Sequence, residues 1–281
     1  MKEFDMNNYK SLAPDIMKTA LDSGADLAGF VNVASMNQTP THKLLTRLPI
    51  YEVIDFSESE TTVAADEEPT TKCGTELPDW AETLLIIALH HPEDKPELDY
   101  FRSSSSGGSE GNLQLIRTNN KVIRWLEEKK AIKSRQLPYG INKGGIGLKD
   151  AAVLAGLGGI GKNNMLITPQ YGPRVRLRAL ALQVKLPETG PLDFDPCANC
   201  DMPCRQSCPR KAFDTKIFDP RDYGMMELPA REGVYDRDTC ALESDKRLPP
   251  DDFIAPKVEA KYGNIISVSC RSCEFACPVG A

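Results

Sequence analysis

Eight cysteines within residues 197–281 carry the strongest chemical signal in this sequence. One run has the spacing C-x-x-C-x-x-x-C-x-x-x-C and is followed by Pro209: Cys197, Cys200, Cys204 and Cys208. The second group ends in C-x-x-C-x-x-x-C before Pro278: Cys240, Cys270, Cys273 and Cys277. In a reducing compartment a dense set of this kind indicates metal binding rather than disulfides.

The Cys-Pro ending of both groups bears on which metal centre they bind. It is similar to two-cluster ferredoxins, in which the last cysteine of each run ligates the other cluster. The similarity implies one [4Fe–4S] cluster on Cys197, Cys200, Cys204 and Cys277. It implies a second on Cys208, Cys240, Cys270 and Cys273. The alternative is two structural zinc sites, which usually pair two C-x-x-C knuckles and show no preference for a Cys-Pro ending. We expect clusters, with Cys73 left as an unliganded thiol.

A glycine-rich segment, residues 156–161, matches the G-x-G-x-x-G pattern of dinucleotide-binding folds. That function needs a strand before the first glycine and a helix after the last. Here residues 148–155 have a helical pattern and residues 164–168 an extended one. No acidic residue follows before Glu188. The sequence therefore argues against NAD binding.

Helical and strand patterns alternate in the part of the chain that must position these groups. Apolar spacing predicts helices over residues 8–23 and 113–128, and buried strands over residues 27–33, 83–89 and 174–184. Residues 48–71 are acidic and contain no Lys or Arg, which is typical of a solvated loop or lid. We predict an α/β domain over residues 1–190 and a cysteine-rich domain over residues 191–281.

The charge and hydropathy of the chain restrict its partners and location. Its formal net charge is -6, which argues against nucleic acid as a partner because phosphate binding favours a basic surface. No apolar run approaches the roughly 18 residues of a membrane span. The first residues lack the apolar segment of a secretory signal. These features predict a cytoplasmic protein without a membrane span.

Residues 151–185, together with the cysteine region that follows, resemble the corrinoid-dependent reductases. This group includes reductive dehalogenases and tRNA-modifying epoxyqueuosine reductases. The Ala-Gly-Leu-Gly turn, the Gly161-Lys162-Asn163 step and residues 167–177 carry the resemblance. It implies an α/β (α+β) fold, with a nitroreductase-like domain that binds cobalamin and a ferredoxin-like domain with two [4Fe–4S] clusters. The clusters would then deliver single electrons to cobalt.

The resemblance also suggests cofactor-binding residues. A glycine-rich turn permits close backbone approach to a flat ring. Two arginines spaced two apart on a strand point the same way, toward corrin amides or a substrate anion, although a solvated strand face is the alternative. The candidates are Gly158, Gly161, Lys162, Asn163, Tyr171, Arg174 and Arg176.

The proton donor is where this sequence departs from its relatives. Epoxyqueuosine reductases have an Asp before the Ala-Gly-Leu-Gly turn, and the matching position here is close to Asn142. An amide does not transfer protons at neutral pH, whereas Tyr139 and Lys143 lie nearby and a tyrosine acid fits the dehalogenase pattern. The catalytic candidates are Tyr139, Asn142 and Lys143, with Asp150 as a further option for the donor.

Three functions are compatible with these features. The first is a corrinoid-dependent reductase that cleaves a bond in a small organic substrate. The second is an iron–sulfur partner that reduces or remodels a corrinoid, and the third is a ferredoxin-type electron carrier. The size of the α/β domain favours the first two. We expect a low-potential donor such as ferredoxin or flavodoxin, and a small-molecule substrate or a corrinoid as partner.

Overall fold

The computed structural model describes residues 7–45, 74–102, 109–216, 233–244 and 265–280. Cys73 and the acidic stretch at 48–71 lie outside these ranges. The described strands are β1 (Leu27–Asn32), β2 (Thr83–His90), β3 (Tyr100–Arg102), β4 (Ser134–Gln136), β5 (Gly159–Ile160), β6 (Leu166–Ile167), β7 (Val175–Leu182) and β8 (Ile265–Val268). The described helices are α1 (Asn7–Asp22), α2 (Val33–Met36), α3 (Pro40–Leu45), α4 (Glu110–Trp125), α5 (Leu148–Leu154), α6 (Pro203–Gln206), α7 (Arg237–Ser244) and α8 (Ser272–Phe275).

A four-stranded antiparallel sheet forms the centre of the fold, with the strand order β1-β2-β7-β4. The mixed α/β class predicted from the sequence is confirmed, in its antiparallel α+β form. Residues 84–89 of β2 are all apolar and buried, as expected for a strand with both faces covered. Leu84 and Ile86 belong to a core with Ala151 of α5, while Leu85 belongs to a second core with Ile16 of α1.

Helix α4 packs against β7, the strand that carries Arg176 and Arg178. The Ser109 side chain accepts a hydrogen bond from the backbone of Asn112 and caps the start of α4. The helix therefore begins earlier than its apolar pattern suggested, because a cap depends on a polar residue rather than on hydrophobic spacing. Next to β7, the chain forms the two-stranded hairpin β5–β6.

One strand pair joins two segments that are far apart in the sequence. Strand β8 pairs with β3, bringing Val268 opposite Tyr100. The pairing links residues on either side of the predicted boundary at residue 190, and the division into two domains stays a prediction. Within the described ranges, no helix combines the length and apolar character that crossing a bilayer requires.

Candidate cluster and cofactor site

Four cysteines from distant parts of the chain form the first group: Cys197, Cys200, Cys204 and Cys277. Burial raises the pKa of Cys204 to about 11, and the negative charges of the other three sulfurs add to the effect. Cys277 comes from the C-terminal segment, yet it acts electrostatically on the first run. A place beside the first run is what the exchange of the last cysteine between runs predicts, and the ligand assignment itself stays a prediction.

The second group lies beside the first. Burial raises the pKa of Cys273, and the charges of Glu274, Cys240 and Cys270 raise it further. The Ser207 hydroxyl donates to the backbone oxygen of Ser272 at 3.1 Å, which fixes the end of α6 against the start of α8. Cys208 follows Ser207 directly, so the first run ends next to the second group.

The chemistry of these thiols fits iron–sulfur cores. None of the eight forms a disulfide. In the described ranges no group of three or more His, Cys, Asp or Glu side chains is arranged as a site for a single metal ion. A structural zinc ion also takes four thiolates, so the choice of metal stays a prediction. Four thiolates, each on a different iron, are the ligand set of a [4Fe–4S] core. Its cationic irons would offset the burial and the mutual repulsion that raise the pKa values of Cys204 and Cys273.

The glycine-rich segment forms a turn and hairpin rather than a nucleotide-binding loop. Helix α5 precedes it and the β5–β6 hairpin follows, which is the reverse of the dinucleotide-binding order. A Cβ atom on Gly158 would lie 2.1 Å from the Ile167 carbonyl oxygen. Gly158 is therefore required because the backbone of residue Ile167 comes close to it. Gly161 is likewise packed against the protein itself, through the Ile167 side chain. Corrin contact by these two glycines stays a prediction.

The turn after Gly161 reaches both cysteine groups. The Lys162 amide donates to Sγ of Cys197 at 3.3 Å, and the Lys162 carbonyl accepts from Nε of Arg205 at 2.8 Å. Four residues after Gly161, the Met165 sulfur lies 4.0 Å from the Cys273 sulfur. This short turn thus joins the α/β body to one cysteine of each group.

Asn163 has an unused donor within the same turn. Its Oδ1 accepts the Met165 amide at 3.2 Å, while its buried Nδ2 has no hydrogen-bond partner among the described residues. An orphaned buried amide is unfavourable unless another group accepts from it. Asn163 is therefore the candidate that best fits a cofactor carrying amide or phosphate acceptors.

The expected ligand-facing arginines are engaged by the protein. Arg174 donates to the carbonyl oxygens of Glu274 at 3.1 Å and Val279 at 2.9 Å. Arg176 forms an ion pair with the carboxylate of Asp99. Both guanidinium groups are therefore held by protein acceptors, and contact of either arginine with a corrin or a substrate stays a prediction. Tyr171 stacks on His90, with 4.3 Å between ring centroids.

The catalytic candidates lie on one exposed turn. Tyr139 is 47% exposed and Ile141 46% exposed. Residues Ile141–Lys143 form a short 3₁₀ turn closed by a hydrogen bond from the Gly145 amide to the Gly140 carbonyl at 2.9 Å. Asn142 and Lys143 are thus neighbours of Tyr139 in one compact loop. The fourth candidate, Asp150, is buried in α5 and accepts the Thr41 amide at 3.1 Å.

Arg178 is a functional candidate that the sequence reasoning missed. Its guanidinium lies 5.0 Å from the Tyr139 ring centroid. Burial lowers the pKa of Arg178 to about 10, with Tyr139 opposing and Arg176 adding to the shift, so it stays a cation at neutral pH. The available signal was the strand alternation, which places Arg178 on the same face of β7 as Arg176.

Comparison with known proteins identifies relatives of one class. No protein-family model matches the chain. It is 32% identical over 139 residues to an epoxyqueuosine reductase of Lactococcus garvieae, covering 47% of this chain and 39% of the relative. A Bacillus anthracis epoxyqueuosine reductase is 23% identical, covering 96% and 65%. A tetrachloroethene reductive dehalogenase of Dehalobacter restrictus is 35% identical over 88 residues, covering 29% and 16%.

Solved structures of the same two kinds share the fold. An epoxyqueuosine reductase with an epoxyqueuosine-modified tRNA-Tyr stem loop aligns with a TM-score of 0.58 at 18% identity, covering 97% of this chain and 66% of that one. An epoxyqueuosine reductase from Bacillus subtilis, described with its catalytic aspartate loop swung out of the active site, gives 0.55 at 20% identity, covering 97% and 66%. A catabolic reductive dehalogenase gives 0.55 at 14% identity, covering 96% and 32%.

The chain is thus related to the epoxyqueuosine reductases and the reductive dehalogenases, as its sequence resemblance predicted. Both kinds of relative, the epoxyqueuosine reductases and the reductive dehalogenases, are named for reductive reactions, which supports the oxidoreductase class. The chain spans less than two thirds of the length of the curated epoxyqueuosine reductases that it matches.

The exclusion of nucleic acid is wrong. It rested on the net charge of the whole chain, whereas a structural neighbour of this fold is bound to a tRNA stem loop. Net charge is a sum over the surface and does not report the charge of one binding face.

Proposed function

We propose that the chain is a cobalamin-dependent iron–sulfur oxidoreductase in which two [4Fe–4S] clusters supply electrons for the reductive cleavage of a small organic substrate. One observation carries the proposal. The turn after Gly161 contacts Cys197 through the Lys162 amide and Cys273 through the Met165 sulfur. An electron path from either cluster therefore reaches the α/β body at one place.

The cluster ligands follow from the two cysteine groups. Cys197, Cys200, Cys204 and Cys277 would hold one cluster, and Cys208, Cys240, Cys270 and Cys273 the other. The electrostatic contacts of Cys277 with the first run support this division. In the proposal residues 1–190 form the nitroreductase-like domain that binds cobalamin, and residues 191–281 form the ferredoxin-like domain.

The α/β body offers residues for a corrinoid and for a proton. Bound cobalamin would supply a low-potential cobalt centre able to break a carbon–heteroatom bond. Asn163 has a buried donor that no described residue accepts from, which is available to the cofactor, and Lys162 precedes it on the same turn. Tyr139 would hold the proton delivered to the substrate at its phenolic oxygen. The cationic Arg178 under its ring favours the phenolate left after transfer.

A second candidate function is the reduction of epoxyqueuosine in tRNA. The relatives named for that activity and the neighbour with a tRNA stem loop favour it. Asn142 opposes it, because the catalytic loop of the Bacillus subtilis neighbour is named for an aspartate and an amide is not a proton donor. A third candidate is a redox partner that reduces a corrinoid without a substrate of its own. This function is also compatible with an amide at Asn142.

Anaerobic reconstitution followed by turnover tests these functions. Incubation with iron, sulfide and hydroxocobalamin should give about eight irons and bound cobalt in each chain. Zinc in place of iron would contradict the clusters, and iron without cobalamin would contradict the corrinoid. With titanium(III) citrate as reductant, loss of halide from a halogenated phenol supports the first function. Queuosine formation in a modified stem loop supports the second, and cobalamin reduction without either supports the third.

A further inference from the structure

A buried ionic network joins the α/β body to the C-terminal cysteine segment. Asp99 is 1% exposed, and its carboxylate accepts from three side chains. Nδ1 of His91 lies 2.9 Å from Oδ1, the Arg271 guanidinium donates to Oδ2 at 2.8 Å, and Arg176 completes the ion pairs. Three side chains, His91, Arg176 and Arg271, thus meet around one buried carboxylate.

Arg271 is the link from Asp99 to the cysteines. It directly follows Cys270, and its guanidinium also donates to Oε2 of Glu274 at 2.6 Å and to the His91 carbonyl oxygen. Glu274 directly follows Cys273. A planar guanidinium has donors for several acceptors at once, so Arg271 fixes both neighbouring cysteines relative to the end of β2.

A second row of contacts continues along the same segment. Arg174 holds the carbonyl oxygens of Glu274 and Val279. Gly172 has a φ of 57°, and a Cβ atom there would lie 1.9 Å from the Val279 carbonyl oxygen. The α/β body therefore also contacts residues on both sides of Cys277, namely Glu274 and Val279.

The network has more positive than negative charge. Arg176 and Arg271 pair with the carboxylates of Asp99 and Glu274, and Arg174 adds a third positive charge where it donates to the Glu274 carbonyl oxygen. In a buried site charges act over longer distances than in water, because screening is weak. A cluster becomes more negative when it accepts an electron, so the charge of this network acts on its reduction potential.

We propose that Asp99 is a positioning residue for the cluster that includes Cys270 and Cys273. It orients Arg271, which holds the cysteine segment on the α/β body, and it lowers the positive charge beside that cluster. The proposal rests on the proposed function, since it requires the clusters to be present.

The substitution Asp99→Asn tests this role because it keeps the size of the side chain and removes its charge. The matched control is Asp22→Asn, at a carboxylate that is 63% exposed on α1. Both variants and the wild type are reconstituted without oxygen, and their iron content and redox titrations by EPR are compared. Single variants Cys197→Ser and Cys270→Ser assign the two reduction waves to the two clusters.

In Asp99→Asn we expect the wave that disappears in Cys270→Ser to shift to a more positive potential, while the other wave and the control stay unchanged. Selective loss of that cluster, with iron falling from about eight to about four per chain, would also support the positioning role of Asp99. Unchanged potentials with full iron, or an equal shift of both waves, would overturn the proposal.

If Asp99→Asn does not fold, the variant Arg271→Lys provides a second test of the positioning role. Arg271→Lys retains the positive charge but lacks the forked donors that reach Asp99, Glu274 and the His91 carbonyl together. We expect a selective change in the same wave, and an unaltered wave would contradict the positioning role. A wild type that binds no iron would refute the proposed function itself, which is a separate result.

Discussion

The backbone N–H of Lys162 donates a hydrogen bond to the sulfur of Cys197 across 3.3 Å. Hydrogen bonds to cluster sulfurs stabilise the more negative reduced state and raise the reduction potential. Lys162→Pro removes this N–H, and we expect the potential of the cluster on Cys197 to fall. Lys162→Ala keeps the N–H and is the control, with EPR redox titration as the measurement. Equal potentials in the two variants would show that the hydrogen bond has no such effect.

Cys277 should be essential to the first cluster although it lies in the second cysteine group of the sequence. We expect Cys277→Ser to lower the iron content from about eight to about four per chain, as Cys197→Ser does. Combining the two substitutions should cause no further loss, since both remove the same cluster. The control is Cys73→Ser, at the predicted spare thiol, which should keep full iron. Additive loss in the double variant would contradict the shared cluster.

Tyr139 should act in turnover and not in cofactor binding. Tyr139→Phe keeps the ring over Arg178 and removes the proton, so we expect turnover to fall by about 100- to 10,000-fold. Cobalamin content, measured from the visible spectrum of protein purified without oxygen, should stay unchanged. Ile141→Ala, at an exposed residue of the same loop, is the control for general disturbance. Full activity in Tyr139→Phe would remove Tyr139 from the mechanism.

Gly172 should be required for the packing of the C-terminal segment. Its left-handed φ and the neighbouring Val279 carbonyl leave no room for a Cβ atom. We expect Gly172→Ala to destabilise the protein by about 1–3 kcal/mol, seen as a lower urea midpoint with loss of iron. A wild-type midpoint in this variant would contradict the close packing of these two turns.

Asp99 should make the free energy of unfolding depend on pH in the acid range. Burial alone would raise its pKa, but the His91 hydrogen bond and the charges of Arg176 and Arg271 outweigh burial and lower it to about 2. An unfolded Asp has a pKa of about 3.9. The stabilisation, about 2–3 kcal/mol, is therefore fully present above pH 4 and is lost as the pH falls toward 2.

Asp99→Asn lacks this titration, so the gap in urea midpoint between wild type and variant should narrow from pH 6 to pH 3. Both proteins are compared at each pH because acid also attacks iron–sulfur clusters. A gap that stays constant over this range would show that folding does not lower the pKa of Asp99.

The sequence by itself determined the features that depend on short spacing. The cysteine spacing indicated clusters, the order of helix and hairpin around Gly158 excluded a dinucleotide loop, and the apolar run of β2 predicted a buried strand. These patterns are local, so each is set by neighbouring residues. The resemblance in residues 151–185 identified the relatives for the same reason, as a continuous motif.

Only the tertiary structure decided which distant groups meet. The strand order β1-β2-β7-β4, the contact of Asp99 with Arg271 and the engagement of Arg174 by Val279 join residues that are far apart in the chain. Strand alternation puts Arg176 and Arg178 on one face of β7, but alternation alone cannot tell whether an arginine faces a ligand or a protein carboxylate. That choice depends on which segment packs over the strand, and packing is a property of the whole fold.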